Sequence, residues 1–98
     1  MTAIKSLQED IDDLFELSNK ATAESDRLAA LAINYDTNGV PNKADLDRSL
    51  AAKRMMEAKA YKSSAETKQK EQQKLIDKVE KIDHEIAQLK IERDKLTG

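Results

Sequence analysis

The chain has no cysteine and no tryptophan, one proline, two glycines, one histidine and three aromatic residues in all. Without cysteine there is no disulfide, no thiolate metal site and no cysteine nucleophile. The redox compartment stays open on that ground. With so few breakers in 98 residues, long uninterrupted helices are the expected backbone. Scarcity of large aromatic and branched side chains argues against a large globular core. No stretch approaches the 18 or so apolar residues of a membrane span. The opening residues, MTAIKSLQED, hold no apolar run of the kind a secretory signal needs. Cytoplasmic residence, or release without a standard signal, is therefore the default expectation.

What the chain does have is charge, at 37% of residues, beside an apolar fraction of 39%. That balance suits one small helical or coiled-coil domain. Net charge is −2, unevenly spread. Residues 1–36 carry 3 Lys/Arg against 8 Asp/Glu, and residues 48–81 carry 10 against 5. The two segments have opposite sign and can pair. The basic stretch has a single aromatic, Tyr61, and no recognition motif, so nucleic acid is not an expected partner. The acidic first segment would be repelled by anionic lipid, so neither is a membrane surface.

Residues 75–96 carry the clearest pattern. Leu75, Val79, Ile82, Ile86, Leu89, Arg93 and Leu96 alternate steps of four and three, the repeat of a coiled-coil seam. With Leu75 at d, the a positions are Val79, Ile86 and Arg93, and the d positions are Leu75, Ile82, Leu89 and Leu96. Branched residues at a and mostly Leu at d favour a parallel pair, in which Lys78 meets Asp83 and Glu85 meets Lys90. One helix cannot bury such a seam. The expected oligomer interface is Leu75, Val79, Ile82, Ile86, Leu89 and Leu96, in a homo-oligomer that is at least a dimer.

Upstream, Ile4, Leu7, Ile11 and Leu14 form a helical stripe that Leu28, Leu31, Ala32 and Tyr35 resume. Residues 3–34 are predicted as one helix, capped by Thr2 or Ser6, with a weak, bendable middle at residues 18–26. The one strong break is NYDTNGVPN, residues 34–42, where Asn38-Gly39 favours a turn and Asn42 is a suitable N-cap. From Lys43 to Thr97 there is no Gly or Pro. Ala51, Ala52, Ala58 and Ala60 would let another helix come close. Residues 62–74 hold Ala65 as their only apolar residue and read as a solvated helical neck. The predicted fold is all-α, one domain. A helical hairpin head (residues 1–61) leads through the neck (62–74) into the coiled-coil segment (75–98). A three-helix bundle with a break near Ser63 is the alternative. In a hairpin about Gly39, residue i lies across from roughly residue 79 − i, which places Asp12, Asp13 and Glu16 near Lys62, Lys68 and Lys70. It also sets Ile11 and Leu7 against Lys68 and Gln72, a poor apolar match.

Residues 34–45, NYDTNGVPNKAD, resemble the calcium loop of EF-hands and dockerin modules. Oxygen-bearing residues alternate, a glycine makes the turn, and a carboxylate closes the loop at the start of the next helix. The resemblance implies Asn34, Asp36, Asn38, the Val40 carbonyl, Asn42 and Asp45 as ligands. Asn34 stands where the family has Asp, and Pro41 where it has a branched apolar residue. With only two charged ligands, the calcium affinity so implied is weak. A plain connector rich in turn residues is the competing reading.

His84 falls on the outer face of the seam, and Asp12 and Asp13 are neighbours that do not face each other on a helix. No constellation for catalysis emerges. The expected function is non-catalytic: an oligomeric coiled-coil adaptor, scaffold or small inhibitor with a protein partner and no cofactor. A calcium-dependent helix–loop–helix module is the alternative.

Overall fold

The computed structural model describes residues 2–98. The chain is two helices, α1 (Ala3–Thr37) and α2 (Pro41–Thr97), packed antiparallel as an extended hairpin. The molecule measures 87 × 17 × 16 Å. Its length is that of α2 alone, since 57 residues at a rise of about 1.5 Å each span about 85 Å. α2 runs unbroken through Ser63, so the three-helix alternative does not form.

Local chemistry sets the ends. Thr2 caps α1 by accepting the Lys5 amide at 3.2 Å. α1 closes three residues later than expected, in a Schellman turn. The Gly39 amide donates to Asp36 O (3.2 Å) and the Val40 amide to Tyr35 O (2.8 Å). Gly39 takes φ +77°, the left-handed conformation this turn requires. α2 then starts with Val40 at the cap and Pro41 inside its first turn, so Asn42 is helical and not the cap. Proline's fixed φ and missing N–H suit that place. At the far end the Gly98 amide closes on Asp94 O at 2.9 Å.

A series of small residues holds the hairpin together. Ala44, Ala51, Ala58 and Ala65 recur every seven residues on α2 and are buried. Facing them, Ile11, Ser18, Ser25 and Ala32 recur every seven on α1 and are buried too. Such short side chains allow the two backbones to approach closely. Ser18 donates to Ala58 O and Ser25 to Ala51 O, both at 2.8 Å, and Gln72 donates to Ile4 O at 3.2 Å, so residue i of α1 lies across from 76 − i of α2. The register is thus shifted by three from the sequence expectation. It follows the stacking of small residues and not the pairing of surface charges. Ile11 meets Ala65 and becomes the largest fully buried side chain, which removes the mismatch expected at Ile11, while Leu7, across from Gln69, is half-buried. Residues 18–26, expected to be a weak point, form an unbroken part of α1 with Ser18, Ala21 and Ser25 buried. Ala65, within the stretch read as a solvated neck, is fully buried.

Among the described residues, Asp12, Asp13 and Glu16 form no ion pair with Lys62, Lys68 or Lys70. Lys68 reaches Asp10 at 3.7 Å, while Glu16 pairs with Lys20 on its own helix at 3.1 Å.

Candidate interaction surface

α1 begins opposite residue 73 of α2, so α2 overhangs from residue 74 to Thr97, about 36 Å. On the overhang the seam side chains stand in the open: Val79 is 46% exposed, Ile82 46%, Ile86 45%, Leu89 63% and Leu96 87%. Leu75 is half-buried, because it lies beside the start of α1. At that junction Ile4 of α1 and Leu75, Val79 and Ile82 of α2 line an apolar groove of about 470 Å³. The six residues expected to form an oligomer interface therefore lie along one apolar stripe. Five of them are open, and the sixth sits at the edge of the hairpin. His84 is exposed.

The connector does not present the geometry of a calcium loop. Asn34 and Asp36 remain inside α1, and Asn42 and Asp45 inside α2. Residues two apart on a helix point about 200° apart, so Asn34 and Asp36 do not converge. The Arg48 guanidinium instead binds both carboxylates, Asp36 across the hairpin and Asp45 one turn back at 2.5 Å. These hydrogen bonds, Asp36 first and Asp45 second, raise the Arg48 pKa above its usual value. A cation thus already joins the two charged groups of the expected ligand set. Lys43 adds a second, its ammonium 5.6 Å from the Tyr35 ring centre. Among the described residues, no three His, Asp or Glu side chains gather as metal ligands.

Midway along the hairpin lies a charged flank that sequence reasoning missed. Arg27 holds Glu24 with two hydrogen bonds of 2.6 and 3.0 Å. The hydrogen bond from Arg27 lowers the Glu24 pKa, and Arg54 nearby adds to the effect. The Arg27 pKa rises in turn, chiefly through Glu24 and further through Asp47 across the helix pair. Arg54 grips Glu57 at 3.0 Å. The seven-residue spacing of Asp47, Arg54, Tyr61 and Lys68, each half-buried beside the alanine series, was the available signal. This flank edges the Ser–Ala contact. A shallow hollow of about 230 Å³ beside Ser18 and Ala58 is open to solvent and small.

Among the described residues, no helix is long and apolar enough to cross a membrane. No protein-family model, curated protein or solved structure matches the chain.

Proposed function

We propose that this chain is a non-catalytic helical scaffold or adaptor that acts by protein–protein binding through the free end of α2, and that it works as a homo-oligomer. The observation behind this reading is the overhang itself, which carries the best heptads in the sequence and has nothing packed on its apolar stripe. A lone helix of some twenty residues is marginal in water. A partner helix on the stripe supplies the burial that α1 supplies further up.

Sedimentation equilibrium over a concentration series tests it. The wild-type chain is expected to associate. Ile82→Lys with Ile86→Lys removes two apolar side chains, each worth roughly 1.5–3 kcal/mol when fully buried, and sets charges in the seam. That variant is expected to be monomeric and to lose helicity beyond Lys74 while keeping the α1–α2 hairpin. A wild-type chain that stays monomeric at high micromolar concentration overturns the proposal.

A further inference from the structure

We infer that the occupant of the overhang is a second copy of this chain docked antiparallel, each copy's C-terminal end lying in the lane that the other copy's α1 leaves vacant. The inference deepens the scaffold reading and rests on it.

The first observation is continuity of the stripe. The α2 series that faces α1, Ala44, Ala51, Ala58 and Ala65, continues in sevens through Gln72 to Val79, Ile86 and Arg93. Its companion series, Asp47, Arg54, Tyr61, Lys68 and Leu75, continues to Ile82, Leu89 and Leu96. The groove at the junction agrees, since Ile4 of α1 and Leu75, Val79 and Ile82 of the overhang share it. The overhang's seam is therefore the one that α1 covers along the rest of α2. A parallel partner helix running along this stripe meets the first turn of α1 near residue 73 and has to splay away. In an antiparallel partner the helix α2, whose last helical residue is Thr97, comes to its end short of that point.

The second observation is register. In antiparallel packing, a residues of one helix layer with d residues of the other. One arrangement pairs Val79 with Leu96 of the second copy, Ile82 with Arg93 and Ile86 with Leu89, each pair occurring twice by two-fold symmetry. A register one heptad tighter drives the second copy's last turn into Ala3 and Ile4. One heptad looser leaves Val79, Ile82 and the groove bare. The intermediate register seats Leu96, the most exposed of the large apolar side chains, against Val79 in the groove beside Ile4. It also sets Arg93 against Ile82, whereas a parallel pair would set Arg93 against its own copy. On one flank Asp83 meets Lys90 of the second copy. The other flank brings Glu85 near Glu92, and charge alone would choose the parallel pair. Exposed flank charges are weak, and a lane filled by α1 admits no second helix.

Cysteine pairing decides it, on a chain with no cysteine of its own. In the antiparallel register, residue 79 lies across from 96 of the second copy and about 25 Å from 79 of that copy, too far for a disulfide. Val79→Cys and Leu96→Cys are each prepared alone and in equal mixture, then oxidised slowly. The expected product is the mixed 79–96 disulfide, at least about tenfold over either homodimer by mass spectrometry. Ile82→Cys with Arg93→Cys repeats the experiment should the first pair fold poorly. Small-angle scattering of the wild type is expected to give a rod of about 140 Å, two copies overlapped by about twenty residues. Efficient closure of the Val79→Cys homodimer, or a dimer in which neither mixed pair closes, overturns the antiparallel arrangement and leaves the scaffold reading standing. A wild-type monomer overturns both.

Discussion

Ser25 on α1 donates its hydroxyl to the main-chain carbonyl of Ala51 on α2 at 2.8 Å, one heptad from the matching bond between Ser18 and Ala58. The two bonds are alike because the helices meet at the same depth every seven residues. They fix register as well as distance, since sliding one helix past the other breaks both together. Ser25→Ala removes the bond without stranding a donor and recovers some helix propensity. Its net cost is expected at about 0.5–1 kcal/mol. Ala51→Leu or Ala58→Leu pushes the backbones apart and is expected to cost about 1–3 kcal/mol. Denaturant midpoints at fixed protein concentration check both. A leucine variant as stable as the parent would mean that the helices are not closely apposed.

These contacts also show where the sequence could be read and where it could not. The paucity of Gly and Pro made two long helices legible, and Gly39 with Pro41 marked the turn. Register was not legible. Alanine and serine carry little hydrophobic signal: Ala51 and Ala58 were legible as points of close approach only together with the exposed Ala52 and Ala60, and their match to Ser18 and Ser25 becomes visible only when two helices are laid side by side. The same blindness made residues 18–26 look weak and hid Ala65 in a polar stretch. Folding the hairpin symmetrically about Gly39 put the helices three residues out of step, and the surface charges that agreed with it are too weak to choose a register. The start of α2 was misplaced because Pro41 fits the first helical turn better than Asn42 fits a cap. The overhang was legible as a seam because its residues are large. That it continues the lane of α1 required the hairpin.

Among the described residues Gly39 is the one with positive φ, +77°, and space for a Cβ is open around it. Substitution there costs backbone strain and nothing from clash. Gly39→Ala is expected to destabilise by about 1–2 kcal/mol and Gly39→Asn by less, since Asn tolerates the left-handed region. Equal midpoints for the two variants would show that the turn relaxes to another form.

The connector is expected to be indifferent to calcium. Arg48 already bridges Asp36 and Asp45, and the helical placement of Asn34 and Asp36 keeps an oxygen shell from closing. Millimolar calcium should leave the thermal midpoint of the wild type unchanged. Asp36→Ala and Asp45→Ala should lower it only slightly, because the ion pairs are exposed. A calcium-induced rise in midpoint that Asp36→Ala abolishes would restore the calcium-loop reading.

Glu24 gives a pH dependence of defined sign. Arg27 holds its folded-state pKa below the ordinary carboxylate value. Its contribution is present above that ordinary value and is lost as pH falls through the lowered one. The thermal midpoint should therefore decline on acidification below about pH 4. Glu24→Gln should flatten part of that decline, a small part because the pair is solvent-exposed. An unchanged acid limb in Glu24→Gln would show that the pair does not persist in solution.

Ser64 tests the continuity of α2 where the sequence left a choice between one helix and two. It is exposed, and it neighbours Ala65, which seals Ile11 in the core. Ser64→Ala keeps the helix and is expected to be neutral or stabilising by about 0.5 kcal/mol. Ser64→Pro removes a ladder hydrogen bond and clashes with the preceding turn, at about 3 kcal/mol or more. Its effect should also spread, because a kink at 64 tilts the rest of α2 away from the first turns of α1. Ile11 then loses its seal, and Gln72 loses its bond to Ile4 O. Circular dichroism should show helicity lost from both helices. Cysteine-free labelling by hydrogen exchange should place the new opening at residues 3–14 and 61–75 together. A proline variant with parental stability and protected amides on both sides of residue 64 would mean that two helices meet there, and that the long unbroken α2 on which the overhang depends does not exist in solution.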